Sequence, residues 1–311
     1  MKRKMLNVPK GGYDGMKGFT IVEFLVAGLL SIIVLIAVVS SYFTSRKLND
    51  AANERLAIQQ DLRNAATLIV RDARMAGSFG CFNMSEHTEK DVVFDVAQKN
   101  RPFFLKGSSA NKLIPIAESL NIGYQGFAQV RPALIFQYGI DDVNASAETT
   151  VVSSCGVISK PGKQIPTLED AKKELKIQNS GKEQNGNIAR QRHVVNAYAV
   201  GRIAGEEGLF RFQLDDKGKW GNPQLLVKKV KRMDVRYIYV SGCPEDAGKE
   251  EQFKYTDKFD KSRDAVTPAG VEVLLDSGLD AKIAASSDNS IYAYRINATI
   301  RGGNVCANRT L

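Results

Sequence analysis

The stretch GMKGFTIVEFLVAGLLSIIVLIAVVSSYF, at residues 15–43, decides how this chain is organised. The 22 residues 24–45 contain no charged side chain. At about 1.5 Å per residue they form a helix of roughly 33 Å, which is enough to cross the core of a bilayer. Glu23 stands directly before this run, where placing a carboxylate in hydrocarbon is costly. Glu23 is therefore expected to have a partner.

Basic residues precede the apolar run. Five Lys or Arg residues and one Asp give residues 1–18 a net charge of +4, within a total of +9 for the chain. The positive-inside rule places this end in the cytoplasm and the chain from Arg46 onward outside the inner membrane. The run exceeds the apolar part of a cleaved secretory signal, so a plain signal anchor is the simplest interpretation. A signal anchor does not explain Glu23.

The junction before the apolar run resembles a known processing signal. Gly18 followed by Phe19-Thr20-Ile21-Val22-Glu23 is similar to the type III signal of type IV prepilins and pseudopilins. In that family a membrane peptidase cuts after the glycine and methylates the new amino terminus. The resemblance implies that Phe19 becomes the first residue, and that Glu23 pairs with the amino group of Phe19 in a neighbouring subunit. Such a pair would fix the axial register of apolar helices. Snorkelling of Glu23 to lipid headgroups is the alternative in the membrane.

The helix is predicted to continue to Ala76, with Gly77 as its C-terminal cap. Apolar residues recur at spacings of three and four, at Ile58, Leu62, Ala65, Ile69, Ala73 and Ala76. The opposite face is expected to carry Arg55, Asp61, Arg63, Arg71 and Asp72. The string VRDARMAG at residues 70–77, followed by Cys81, resembles the PilW family of type IV pilus minor pilins.

The rest of the chain has the pattern of strands. Segments rich in β-branched and aromatic residues lie at 92–97, 133–139, 193–203, 208–214, 224–240 and 291–301. These patterns predict an α+β fold with a long N-terminal helix packed on an antiparallel sheet, and the resemblance implies that this fold is of the type IV pilin kind. The domains are then a leader at 1–18, a transmembrane or filament-core helix at 19–45, an amphipathic half-helix at 46–77 and a periplasmic β-rich head at 78–311.

Four cysteines, Cys81, Cys155, Cys243 and Cys306, all follow the apolar run. None forms a C-x-x-C pair, which argues against zinc-ribbon and redox motifs. In an oxidising compartment they would form two disulfides with three possible pairings, whereas in a reducing one they would be buried thiols. We predict Cys81–Cys155 and Cys243–Cys306, because each pair brackets one stretch of the head.

No motif in the sequence indicates catalysis. The two histidines, His87 and His193, lie far apart, and no metal-protease, hydrolase or phosphate-loop pattern occurs. We expect no enzyme activity, no metal and no cofactor. The net charge is too dispersed beyond the leader to favour nucleic acid.

The resemblance implies a minor pilin that helps to start pilus assembly and lies at or near the pilus tip. Its expected partners are other minor pilins, the major pilin, a large tip adhesin, the inner membrane and the prepilin peptidase. Two alternatives stay open: a J-type minor pseudopilin of type II secretion, and a membrane-anchored periplasmic binding or DNA-uptake protein.

Overall fold

The computed structural model describes residues 18–93, 112–176, 187–241, 252–259, 267–276 and 294–301. A long N-terminal helix is followed by a head made mostly of strands, which confirms the expected α+β class. The chain divides into two compact units, Met1–Ala57 and Ile58–Leu311. The C-terminal part of the helix therefore belongs to the same unit as the strands.

Helix α1 spans Ile21–Met75. Residues 29–76 contain neither Pro nor Gly, so nothing in this run breaks the backbone hydrogen bonds. In the first unit its side chains are exposed, and the apolar stretch is long enough to cross a membrane by length and composition. The helix stops before Gly77, the predicted cap, which has a φ of +77° that favours glycine.

Within the second unit α1 buries one face. Its buried residues are Ile58, Leu62, Ala65, Ile69, Asp72 and Ala73. The predicted apolar face is confirmed, but the assignment of Asp72 to the polar face is wrong. The side chain of Asp72 is 0% exposed, because it lies three residues after Ile69 on the same face.

The strands follow within the described residues. They are β1 (Ser78–Phe79), β2 (Phe82–Asn83), β3 (Val92–Val93), β4 (Ile116–Ser119), β5 (Ala128–Gln129), β6 (Ala133–Ile140), β7 (Thr150–Ser153), β8 (Ile158–Ser159), β9 (Ala189–Ile203), β10 (Glu206–Leu214), β11 (Trp220–Lys228), β12 (Arg232–Ser241), β13 (Gln252–Thr256), β14 (Gly270–Asp276) and β15 (Tyr294–Thr299). A short helix, α2 (Leu168–Glu174), begins at the capping box that Thr167 and Asp170 form.

Among the described residues, the larger sheet has nine strands. Its long strand β9 pairs antiparallel with β10 along one edge, and with β5, β6 and β7 along the other. Strand β11 extends the sheet beyond β10, and β4 extends it beyond β6. Strand β3 joins β8 in parallel, so the head is not purely antiparallel.

The smaller sheet has four antiparallel strands in the order β13-β12-β14-β15. The alternating residues of the segment 291–301 predict that Tyr292, Tyr294, Ile296, Ala298 and Ile300 share one face of a strand. On β15, Ile296 and Ala298 are buried and Tyr294 is partly buried against the core, which confirms this for the described part. Tyr292 lies outside the described residues.

One hydrophobic core holds both sheets on the C-terminal part of α1. Side chains on α1 pack with Phe136 and Tyr198 of the larger sheet and with Tyr237 and Ile296 of the smaller one. In place of the single sheet expected from the sequence, the described residues form a nine-stranded and a four-stranded sheet, and β1 and β2 form a separate two-stranded pair. Residues 224–240, treated as one strand-like segment, form β11 and β12 in different sheets, with Lys229 between them at a φ of +63°.

Candidate functional site

Thr20 and Glu23 form a capping box at the start of α1. The backbone N–H and the hydroxyl of Thr20 each donate to Glu23 Oε2, at 3.0 Å and 3.0 Å. The N–H of Glu23 lies 3.3 Å from Thr20 Oγ1. Such reciprocal bonds satisfy amide donors that a helix start leaves open, and the carboxylate complements the positive end of the helix dipole. Glu23 thus has an internal partner that the sequence analysis did not identify.

The second oxygen of Glu23 accepts no hydrogen bond from the residues that the structure describes. The side chain itself is exposed, and so are its apolar neighbours; Phe19 is 90% exposed. A carboxylate oxygen therefore lies open at the start of an uncovered apolar helix surface. This arrangement can bind a cation brought by another chain, most strongly where water is excluded.

Gly18 precedes this helix start without being required by the fold. A Cβ added at Gly18 would meet no atom within 4 Å, and its φ lies outside the left-handed region. No contact with the residues that the structure describes therefore requires glycine at this position.

A disulfide joins Cys81 and Cys155, with their Cα atoms 4.6 Å apart. It connects the turn between β1 and β2 to the loop between β7 and β8, and it confirms the first predicted pair. Cys243 and Cys306, the second predicted pair, lie outside the described residues.

Asp72 is the centre of a buried polar cluster between α1 and the larger sheet. Tyr138 donates to Oδ1 at 2.8 Å, whereas Tyr198 and Asn196 donate to Oδ2 at 2.6 Å and 2.9 Å. Arg211 lies 3.6 Å from the same oxygen. Each donor stands on the face of β6, β9 or β10 that meets the helix, so one carboxylate ties three strands to α1.

This environment keeps the phenols protonated. Burial, and then the Asp72 carboxylate, raise the pKa of Tyr138 to about 12 and shift the pKa of Tyr198 in the same direction. The cluster fixes the helix on the sheet, because its hydrogen bonds join α1 to β6 and β9.

His193 is buried on β9, and burial lowers its pKa to about 3. Gln137 donates its amide to the carbonyl of Ile114 at 2.9 Å, so its Oε1 faces His193 Nε2 at 3.2 Å. The ring is therefore neutral and carries its proton on Nε2.

Replacing His193 with glutamine should weaken the loss of stability in acid. In the unfolded chain this histidine has a pKa near 6.5 and binds a proton below that pH. In the native state it binds a proton only as the pH approaches 3. The free energy of unfolding should fall as pH decreases through this window, by up to about 1.4 kcal/mol per pH unit from this group. Urea unfolding at pH 7, 6, 5 and 4 measures the slope, with the variant at pH 7 as its own baseline. An unchanged slope in the variant would assign the acid sensitivity to other groups.

Among the described residues, no group of three or more His, Cys, Asp or Glu side chains is placed to hold a metal ion. Comparison with known proteins finds no relative, since no family model, curated protein or solved structure matches the chain.

Proposed function

We propose that this chain is a minor pilin of a type IV pilus, which helps to start assembly and lies at or near the tip of the filament. The observation that carries the proposal is the start of α1. There a glycine that the fold does not need precedes a capped helix, whose apolar surface is exposed and whose first turn holds one carboxylate.

The exposed apolar surface of α1 is expected to be buried in a membrane or against other helices. Exposed residues run along the stretch from Phe24 to Phe43 in the first unit. A patch of this extent is typical of a membrane segment or of a helix buried among other helices. A pilin uses both environments in turn, first the inner membrane and then the filament core.

The disulfide supports an exported head. Cys81 and Cys155 are both exposed residues, and a disulfide at the surface persists in the oxidising periplasm rather than in the cytoplasm. Together with the basic leader, this supports a topology with the N-terminus in the cytoplasm and the head in the periplasm. The protein acts by association, with other minor pilins, a large tip adhesin and the major pilin as partners. The peptidase reaction is carried out on the chain by another protein.

Gly18→Val should leave the leader attached. A Cβ at Gly18 would meet no described atom within 4 Å, so loss of cleavage would reflect exclusion from the peptidase and not misfolding. Intact-mass measurement of the membrane-extracted protein gives the first residue. Gly15→Val, three residues upstream, is the matched control and should be processed normally. A native mature chain that begins anywhere other than Phe19 would contradict the proposal.

Recovery of the chain in sheared filaments tests filament membership. We expect the mature form there in small amounts relative to the major pilin. A chain found only in the inner membrane would favour an anchored binding or DNA-uptake protein. A chain required for exoprotein secretion and absent from surface pili would favour a minor pseudopilin.

A further inference from the structure

Strand β15 forms one edge of the smaller sheet, and no described residue pairs with its outer side. Ile300 donates its backbone N–H to the carbonyl of Ala269 at 2.9 Å, in the same register as the paired residues of β14 and β15. Backbone groups alternate between the two sides of a strand, so the even-numbered residues of β15 direct theirs to β14. The residues whose N–H and C=O groups point to the open edge are Arg295, Asn297 and Thr299.

This edge lacks features that usually prevent further strand pairing. An edge strand is commonly protected by proline, by a bulge or by a very short length. At an edge of the larger sheet, β11 contains Pro223, and its pairing with β10 has two shifts of register. Strand β15 has six residues, contains no proline and keeps one register along its whole length. Its open backbone groups can therefore pair with an added strand.

A groove lies beside this edge, between β15 and α1. It has a volume of about 590 Å³, and its apolar lining includes Val70 and Met75 of α1 and Tyr294 of β15. A strand added to β15 would lie about 4.8 Å from it and would direct every second side chain toward α1. These side chains would lie on the same side as the buried Ile296 and would enter the groove.

Three arginines, Arg63, Arg71 and Arg74, also line the groove, which we call the arginine groove. Arg71 forms an ion pair with the buried Asp72 at 3.2 Å. Arg63 and Arg74 are exposed, and within the described part of the chain neither forms an ion pair. The arginine groove thus has an excess of positive charge, which carboxylates on an added strand would offset.

We propose that β15 and the arginine groove bind an extended segment of another protein, which adds a strand to the smaller sheet. The segment has apolar side chains at alternate positions, which fill the groove, and it carries Asp or Glu residues that meet Arg63 and Arg74. Main-chain hydrogen bonds to β15 supply affinity, and the groove selects the side chains. The inference rests on the proposed function only in placing this partner outside the cytoplasm.

Photocrosslinking in cells tests the contact. The full chain carries p-benzoylphenylalanine at Thr67, which is exposed and lines the groove. We expect a crosslink to one segment of a different protein, mapped by peptide mass spectrometry, in which apolar residues alternate and Asp or Glu is present. Absence of a crosslink, a segment without this pattern, or crosslinks confined to lipid, to a second copy or to the chain itself would overturn the inference. Cleavage at Phe19 and recovery in filaments report separately on the proposed function.

Proline at Asn297 tests the pairing of the added strand. Asn297→Pro removes a backbone N–H that points away from β14, and an edge strand tolerates proline at such a position. It should reduce the Thr67 crosslink by about tenfold or more, because the added strand loses a hydrogen bond and meets the proline ring. Asn297→Ala keeps the N–H and is the matched control, which should crosslink as the wild type does. Equal crosslinking by these two variants would contradict pairing at β15.

Charge reversal tests the arginines without altering the backbone of β15. R63E/R74E should reduce the Thr67 crosslink by about fivefold or more, since two attractive contacts become repulsive. K217E/K219E makes the same change of charge in the exposed turn after β10 and should have no effect. Formation of the Cys81–Cys155 disulfide confirms that each variant is folded. An unchanged crosslink in R63E/R74E, or an equal loss in the control, would contradict the proposed charge match.

Discussion

Asp72→Ala should lower the free energy of unfolding of the head by about 3–5 kcal/mol. The substitution removes the counter-charge of Arg211, whose side chain is only 14% exposed, at a site where the Asp72 carboxylate is 0% exposed. It also removes the acceptor for Tyr138, Tyr198 and Asn196. A buried donor without a partner is itself destabilising by about 1–3 kcal/mol. Urea unfolding of the full chain in detergent, followed by the fluorescence of Trp220, measures the effect.

Two further variants identify the source of the effect. Asp61→Ala removes an acid from the same helix, where it is half-buried, and should change the stability by about 0.5 kcal/mol or less. Asp72→Asn keeps the shape but offers one acceptor oxygen in place of two, so it should fall between alanine and wild type. A value for Asp72→Ala within about 1 kcal/mol of wild type would show that the cluster does not hold the helix on the sheet.

The sequence predicted α1 well because its signals are local. Helical spacing identified every apolar residue of the buried face, and Gly77 marked the end of the helix. Asp72 was predicted to lie on the polar face because it is charged, although its position in the helix places it among the buried residues. The series 58, 62, 65, 69, 72 and 76 alternates steps of four and three, so the spacing alone placed Asp72 toward the sheet.

The head was less predictable because its pairings are distant in sequence. The segments that form β6, β9 and β10 were predicted as strands, yet nothing local shows that β11 and β12 belong to different sheets. The donors to Asp72 also come from residues 66 to 139 positions away along the chain. The residue pattern within a strand does not predict which distant side chain it will contact. These side chains come together only in the folded sheet.

The capping box changes how Glu23 should be tested. One oxygen of its carboxylate accepts hydrogen bonds from Thr20. Loss of Glu23 would therefore weaken the start of the helix as well as any contact with a neighbouring subunit. Glutamine separates these roles, because its amide oxygen can accept from the Thr20 N–H as glutamate does. Any effect of Glu23→Gln is then an effect of charge.

Glu23→Gln should reduce incorporation into filaments by about tenfold or more while the mature protein stays at its normal level in the membrane. In the proposed filament, the amino group of Phe19 from a neighbouring chain would lack its counter-charge among apolar helices. The head, held together by contacts from Ile58 onward, should fold as before. Counting pili per cell beside an immunoblot of membrane and filament fractions gives both quantities.

Thr20→Val is the reciprocal control, since it removes the hydroxyl from the capping box and keeps the charge of Glu23. It should assemble far better than Glu23→Gln, provided that intact mass shows normal cleavage. Glu23→Lys should assemble worse than either, because it adds repulsion to the unpaired amino group. Full incorporation of Glu23→Gln would rule out the ion pair between subunits. Equal defects in Thr20→Val and Glu23→Gln would instead assign the role of Glu23 to the helix start.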